Sequence, residues 1–208
     1  MWTKSREKPS SLPPLESDGG ALPGRRLAYF SAQAVVEGQD SWAAVTEMIG
    51  GFRSAGWRVD LYCPVYDSGG VPGIATRLRG MLEAGRRLTL ALGSYDAVYV
   101  RVHVLAWGVA RAARRTRVPV IQESNGSWED AFAAWPSVRP FAPLIIAMQR
   151  AQYRSADAII AVSDTLAAWL EAETGRSDVV VSPNGANTEL FRPGLPRPDG
   201  LPERYAVF

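Results

Sequence analysis

Thiol and metal chemistry find almost no material in this sequence. One cysteine, Cys63, and one histidine, His103, stand among 208 residues. A lone thiol forms no internal disulfide and removes every cysteine-based metal cage; a lone imidazole rules out a multi-histidine centre. No metal and no bound cofactor are therefore expected. Charge of one sign is lacking too: 23 Lys+Arg face 21 Asp+Glu, a net charge of +2. Nothing in that balance demands a polyanion, and nucleic acid is not an expected partner. Long apolar runs are absent, none reaching the roughly 18 residues that a bilayer span requires. The opening MWTKSREKPSSLPPLESDGG lacks the apolar centre of a secretion signal. Scarce cysteine suits a reducing compartment, so the cytoplasm is the expected location. The stretch after the first strand pattern, SAQAVVEGQDS, holds a single glycine. It carries neither G-x-G-x-x-G nor a Walker loop, which argues against a dinucleotide-dependent dehydrogenase and a P-loop NTPase.

What is present is a chain able to bury a core: 47% of residues are hydrophobic, and 19 Gly and 15 Pro follow no period. Residues 1–24 are polar, Pro/Ser/Gly-rich and aperiodic, and read as a disordered leader. From residue 25 short apolar runs alternate with helical patterns. Strands are expected at 27–32, 57–64, 96–102, 118–124, 156–163 and 178–185. Helices are expected at about 41–55, closed by Gly56, and at 74–92, 104–116, 141–154 and 165–173, with NGSWEDAF as a loop. Six near-continuous apolar strands separated by helices indicate an α/β fold, a Rossmann-like doubly wound parallel sheet spanning 25–192. Residues 193–208 read as a Pro/Gly-rich linker and the cut-short start of a second domain, with YAVF as the beginning of a strand.

In such sheets ligands bind beyond the carboxyl ends of the strands, where the strand order reverses. The loops after the strands carry the polar candidates. Gly38 and Gln39 precede a helix start and could present backbone N–H groups to an anion, although Asp40 or Ser41 as a plain helix cap accounts for the same residues. Arg101 and His103 alternate at the end of the third strand and so share a face. Arg101 suits bidentate clamping of a phosphate or carboxylate; His103 has a structural reading as well as a functional one. Glu123 and Asn125 follow the fourth strand beside Gly126, as hydroxyl partners and a close-approach position, while Glu129 and Asp130 cap or solvate the next segment.

One charge feature stands out. Residues 77–117 contain nine Arg against two acids, Glu83 and Asp96. On a helix over 74–92, Ile74, Leu78, Met81, Leu82, Gly85, Leu88 and Leu92 share one face, opposite Arg79, Arg86 and Arg87. This reads as a sheet-covering helix with a solvated outer side, or as a peripheral contact with anionic lipid at the inner membrane face.

SADAIIAVSDTLAAWL followed by DVVVSPNGANTELFRP resembles the end of the N-terminal domain of glycosyltransferase family 4. FRSAGWRVDLYCP and YVRV…VPVIQESNG agree more loosely with regions upstream, and the likeness covers about 27–195. It implies half of a GT-B architecture and retaining transfer from a nucleotide-sugar co-substrate to a glycan or lipid-linked acceptor. Carried over by position, Gly38 and its neighbours stand where the family approaches the donor phosphates. Asn125 stands where a histidine is common, which leaves no proton shuttle there. Ser163 matches the strand-end serine, and Asn184–Gly185 the pair at the cleft edge, with Asn187 where Asp is common. The family's E-x7-E nucleotide-sugar site belongs to a second domain, so the resemblance implies an acceptor-binding half without turnover of its own. The alternative reading is a non-catalytic binding subunit that pairs with a separate donor-domain chain.

Overall fold

The computed structural model describes residues 24–38, 40–66, 72–185, 187–188, 192–194 and 200. The leader to residue 23, Gln39, the glycine-rich stretch 67–71, and most of the expected linker with YAVF lie outside these.

Six strands form one parallel sheet: β1 (Arg26–Phe30), β2 (Arg58–Tyr62), β3 (Ala97–Arg101), β4 (Val120–Ser124), β5 (Ala158–Ala161) and β6 (Val179–Val181). The order is β2-β1-β3-β4-β5-β6. Every expected strand is present, its ends within four residues of the sequence reading. The helices are α1 (Asp40–Ser54), α2 (Ile74–Ala91), α3 (Trp107–Thr116), α4 (Trp128–Ala134), α5 (Ala142–Ser155) and α6 (Asp164–Thr174). Short 3₁₀ turns occupy Leu92–Ser94, Val104–Ala106 and Pro136–Phe141.

Handedness distributes the helices. The step from β1 to β2 runs one way across the sheet and every later step the other way, so right-handed crossovers put α1 opposite the remaining helices. The core records this split. Ala28 and Phe30 of β1 pack with Met81, Ala84 and Leu88 of α2 and with Val109 of α3. Leu27 and Tyr29 pack with Val45 and Ile49 of α1. Further along, Ile159 and Ala161 of β5 pack with Tyr153 of α5 and Leu170 of α6. On the α1 side the Tyr29 and Tyr99 rings stack with centroids 5.0 Å apart, and Phe52 meets Tyr99 edge-on at 5.2 Å.

Side chains at the strand starts tie the ladder. Asp96 accepts the Arg26 backbone N–H at 2.7 Å, and Asp157 accepts that of Val120 at 2.8 Å. Each aspartate sits just before a strand and closes the first backbone donor of its neighbour. Asp60 takes hydrogen bonds from Arg26 (2.9 Å) and the Tyr95 hydroxyl (2.8 Å). Burial alone would raise its carboxyl, but these two donors hold it below the usual range.

Two local expectations change. The stretch NGSWEDAF contains α4, because Ser127 accepts from the Asp130 N–H at 3.2 Å while Asp130 accepts from the Ser127 N–H at 2.9 Å, a reciprocal capping box. A short helix nucleated by its cap carries too few turns for periodicity to reveal it. The buried face of α2 is also rotated from the expected one. Met81, Ala84 and Leu88 are buried, whereas Ile74, Leu78 and Leu82 are 74%, 44% and 61% exposed. The reason lies at Gly80, where a Cβ would come within 2.9 Å of the Tyr66 ring and 3.2 Å of Pro64. This close approach turns Gly80 and Met81 inward and leaves Leu78 and Leu82 on the flank. The placement of α1 follows the sequence: Gly56 has φ +87° and closes it, its N–H bonded to the Arg53 carbonyl.

The rotation of α2 has a direct check. Leu88→Ala empties a fully buried position and is expected to lower the unfolding free energy by about 2–5 kcal/mol. Leu82→Ala, on the expected face but at a 61% exposed position, should change it by less than about 0.5 kcal/mol. Urea denaturation of both variants reads the difference; equal losses would contradict the assigned face.

Candidate functional site

The strand order reverses between β1 and β3, and the loops leaving these strands diverge to opposite faces. A pocket of about 120 Å³ opens there, lined by Ser31, Ala32 and Gln33 after β1, by Arg101, Val102 and His103 at the end of β3, and by Asn125 after β4. Of the residues expected from sequence, Arg101, His103 and Asn125 come together here. A second cavity of about 410 Å³ lies between α3 and α5. It is larger, but it sits on the helices and away from the rim where the strands end.

Each lining group is held from behind. Arg101 is half-buried, and its Nη1 is buried with no hydrogen-bond partner among the described residues. A guanidinium N–H left so is costly, and an incoming acceptor atom relieves that cost. Asn125 donates from Nδ2 to Glu123 Oε1 at 2.8 Å, and Glu123 Oε2 takes the Tyr29 hydroxyl at 3.4 Å. Glu123 is buried and lies beside Arg101 in register across β3 and β4. Its carboxylate is committed to the protein on both oxygens and orients Asn125. Burial, with the Glu123 charge second, pushes the Tyr29 phenol well above its ordinary value, so it stays a donor. Below, the Ser124 and Tyr153 hydroxyls share a hydrogen bond of 2.9 Å, and burial raises Tyr153 to about 12.

His103 combines its two readings. Its Nδ1 accepts the Leu105 N–H at 3.2 Å and caps the 3₁₀ turn Val104–Ala106. The ring is thereby the tautomer with its proton on Nε2, a donor. Burial first, then the Arg77 charge, lower its pKa and keep it neutral. Gln152 of α5 donates to the His103 and Val104 carbonyls at 3.3 and 3.4 Å and fixes the turn from below.

The other expected residues stand elsewhere. Gly38 sits in the turn before α1 at φ +83° with open space around its Cα, and Gln39 lies outside the described residues. Gly126 faces the α4 capping box, where a Cβ would meet Asp130 Oδ2 at 3.3 Å. Ser163 is the N-cap of α6, accepting the Leu166 N–H at 3.2 Å. Asn184 and Gly185 are exposed beyond β6, and after them Asn187 donates to Glu47 of α1 at 2.8 Å. Ser31, Ala32, Gln33 and Val102 were not picked out from the sequence as site residues. Position was the available signal, since Ser31 and Ala32 directly follow the strand at which the order reverses.

The model of glycosyltransferase family 4 matches residues 43–190. The chain belongs to that family. No curated protein sequence matches it. Among solved structures it is similar to a sucrose-phosphate synthase from Thermosynechococcus elongatus, with 15% identity over 81% of this chain and 50% of that one, at a TM-score of 0.58. MurG from Acinetobacter baumannii is a weaker match, with 14% identity over 78% and 46% of the two chains and a TM-score of 0.43. The chain thus spans about half the length of these glycosyltransferases. The first match shows the fold, one Rossmann-like half of a GT-B glycosyltransferase. Within this family-4 domain, in the stretch SADAIIAVS, Asp157 closes the start of β4 and Ser163 caps α6.

The neutral burial of His103 fixes a pH dependence. Its folded pKa is lowered, so between that value and about 6.5 the unfolded chain binds a proton that the folded chain refuses. Stability is therefore full above about pH 6.5 and falls as the pH drops through this window, with a slope of at most about 1.4 kcal/mol per pH unit. Denaturant unfolding from pH 7.5 to 5 should show this slope, and His103→Gln should flatten it. An unchanged slope would contradict the buried neutral ring.

Proposed function

We propose that the protein is the acceptor-side domain of a retaining glycosyltransferase that moves a sugar from a nucleotide-sugar to a glycan or lipid-linked acceptor. The observation that carries the reading is Arg101 Nη1, buried and unpartnered, in the pocket at the strand reversal. Family membership supplies the reaction class; the pocket supplies the division of labour.

About 120 Å³ is well below the roughly 300–1,000 Å³ that encloses a small-molecule ligand. The pocket takes one group of an acceptor, an anionic or hydroxyl-bearing end, and leaves the rest open to a facing wall. Arg101 clamps the negative oxygen, Asn125 donates to or accepts from a hydroxyl, and His103 donates from Nε2. Glu123 acts through Asn125 as a positioning residue.

Transfer breaks the bond from the anomeric carbon to the donor phosphate oxygen and forms one to the acceptor oxygen on the same face, the acceptor's hydroxyl proton passing to the departing phosphate. The departing phosphate gathers charge, which fixed cations and backbone dipoles must stabilise. The pocket's single guanidinium, Arg101, is engaged with the acceptor. In the proposed reading a second, donor-binding domain faces this rim and supplies the rest, and the 208 residues alone bind acceptor without turnover. No residue here is assigned as a catalytic base, no metal takes part, and the work is done on the cytoplasmic side.

Isothermal titration tests the proposal with a hexose phosphate, a short glycan and a polyprenyl phosphate as acceptor probes and UDP-glucose as donor probe. The expected result is weak binding of at least one acceptor probe, reduced roughly 10- to 100-fold by Arg101→Gln, and no binding of UDP-glucose. Silence toward every acceptor probe, or acceptor binding untouched in a folded Arg101→Gln variant, would overturn it.

A further inference from the structure

Trp135 is a large apolar side chain that the fold holds by its backbone and leaves in solvent, 56% exposed. It closes α4: its N–H donates to the Ala131 carbonyl at 2.9 Å, and its carbonyl accepts the Val138 N–H at 3.1 Å. Pro136 follows, lacks an N–H, and pushes the residue before it out of the helical region, so α4 stops at Trp135 (φ −129°, ψ 71°). The other end of α4 is anchored. Trp128 is buried, meets Trp169 edge-on with centroids 4.3 Å apart, and carries the Arg150 guanidinium over its ring at 5.3 Å. Helix, turn and anchor thus fix where the Trp135 ring stands, while the ring itself adds nothing to the core.

Arg77 ties this ring to the pocket. Its guanidinium lies over the Trp135 ring at 5.6 Å, so a cation backs one face of the ring and the exposure leaves the rest to solvent. Helix α2, which carries Arg77, packs against the turn Val104–Ala106 that His103 caps. The Arg77 charge reaches the His103 ring and helps to keep it neutral. Among the described residues no carboxylate forms an ion pair with Arg77. From the other side, α4 begins just after Asn125 and spans about 10 Å, a distance that one or two pyranose rings cover.

An aromatic face carries negative partial charge. The C–H face of a pyranose carries positive partial charge, and its edge carries hydroxyls. Ring and guanidinium match those two surfaces, Trp135 by stacking and Arg77 by donating to hydroxyl oxygens. The pocket of about 120 Å³ is too small for a whole acceptor, so an acceptor seated at Arg101 runs on across the rim. We propose that Trp135, backed by Arg77, is a stacking platform for a further pyranose ring of the acceptor, beyond the group held in the pocket. The inference rests on the acceptor-side reading and sharpens it: the acceptor is a carbohydrate of more than one sugar, rather than a bare lipid phosphate.

Isothermal titration of the full 208-residue chain with glucose 1-phosphate, maltose 1-phosphate and maltotriose 1-phosphate tests it, with UDP as nucleotide control. Affinity should rise roughly 3- to 10-fold as a second or third ring is added, the worth of one aromatic stack. Trp135→Ala should abolish that rise and Trp135→Phe should keep most of it, both with an unchanged thermal midpoint because the side chain is exposed. Equal affinity for the three sugar phosphates, or a rise that survives in folded Trp135→Ala, would overturn the platform and leave the acceptor-side reading in place. UDP binding that Trp135→Ala abolishes would overturn it too, by making the ring a platform for a nucleobase. Silence toward all three sugar phosphates would overturn the platform, and the acceptor-side reading falls with it only if the glycan and polyprenyl phosphate probes are silent as well.

Discussion

Everything at the rim follows from the hand of the crossovers. A parallel sheet whose first connection runs leftwards and whose others run rightwards must send its loops to opposite faces at one place, here between β1 and β3. There the backbone parts and leaves room above the strand ends. Ser31–Gln33 and Arg101–His103 border that opening because of where their strands lie. The pocket is a consequence of topology before it is a matter of side chains.

Side chains then make the opening selective. Two oxygens of a buried carboxylate, Glu123, are spent on Asn125 and Tyr29, so a negative charge sits behind the pocket without entering it. His103 is fixed twice, through its own cap to Leu105 and by Gln152 beneath its carbonyl. The rim thus holds two donors, the buried Arg101 Nη1, without a hydrogen-bond partner among the described residues, and the His103 ring with its proton on Nε2. Such fixed donors act without reorganising, which is what recognition of an anionic or hydroxyl-rich group requires.

Much of this was legible in the residues. Short, mainly apolar runs set between helical patterns located all six strands, because strands covered on both faces admit few polar residues. Arg101 and His103 could be assigned to one face from alternation alone. Other features rested on contacts that no local pattern encodes. The phase of α2 depends on Tyr66 lying against Gly80, a meeting of two segments that periodicity within the helix cannot foresee. Glu123 looks from sequence like a ligand partner; only its neighbours Tyr29, 94 residues earlier, and Asn125 show that its oxygens are occupied. The serine and aspartate of the SADAIIAVS stretch stand out as a family signature, and only their partners show that the aspartate closes a ladder and the serine caps a helix. Gly126 supports a capping box in the same way.

Backbone amide chemical-shift mapping of the ¹⁵N-labelled protein with a bound acceptor probe tests the central claim most directly, since it separates the two cavities residue by residue. The account predicts shifts concentrated at residues 31–33, 101–103 and 125, with the groove between α3 and α5 unmoved. Shifts centred on Trp107, Arg111 and Ala151 with a silent strand-end rim would contradict it.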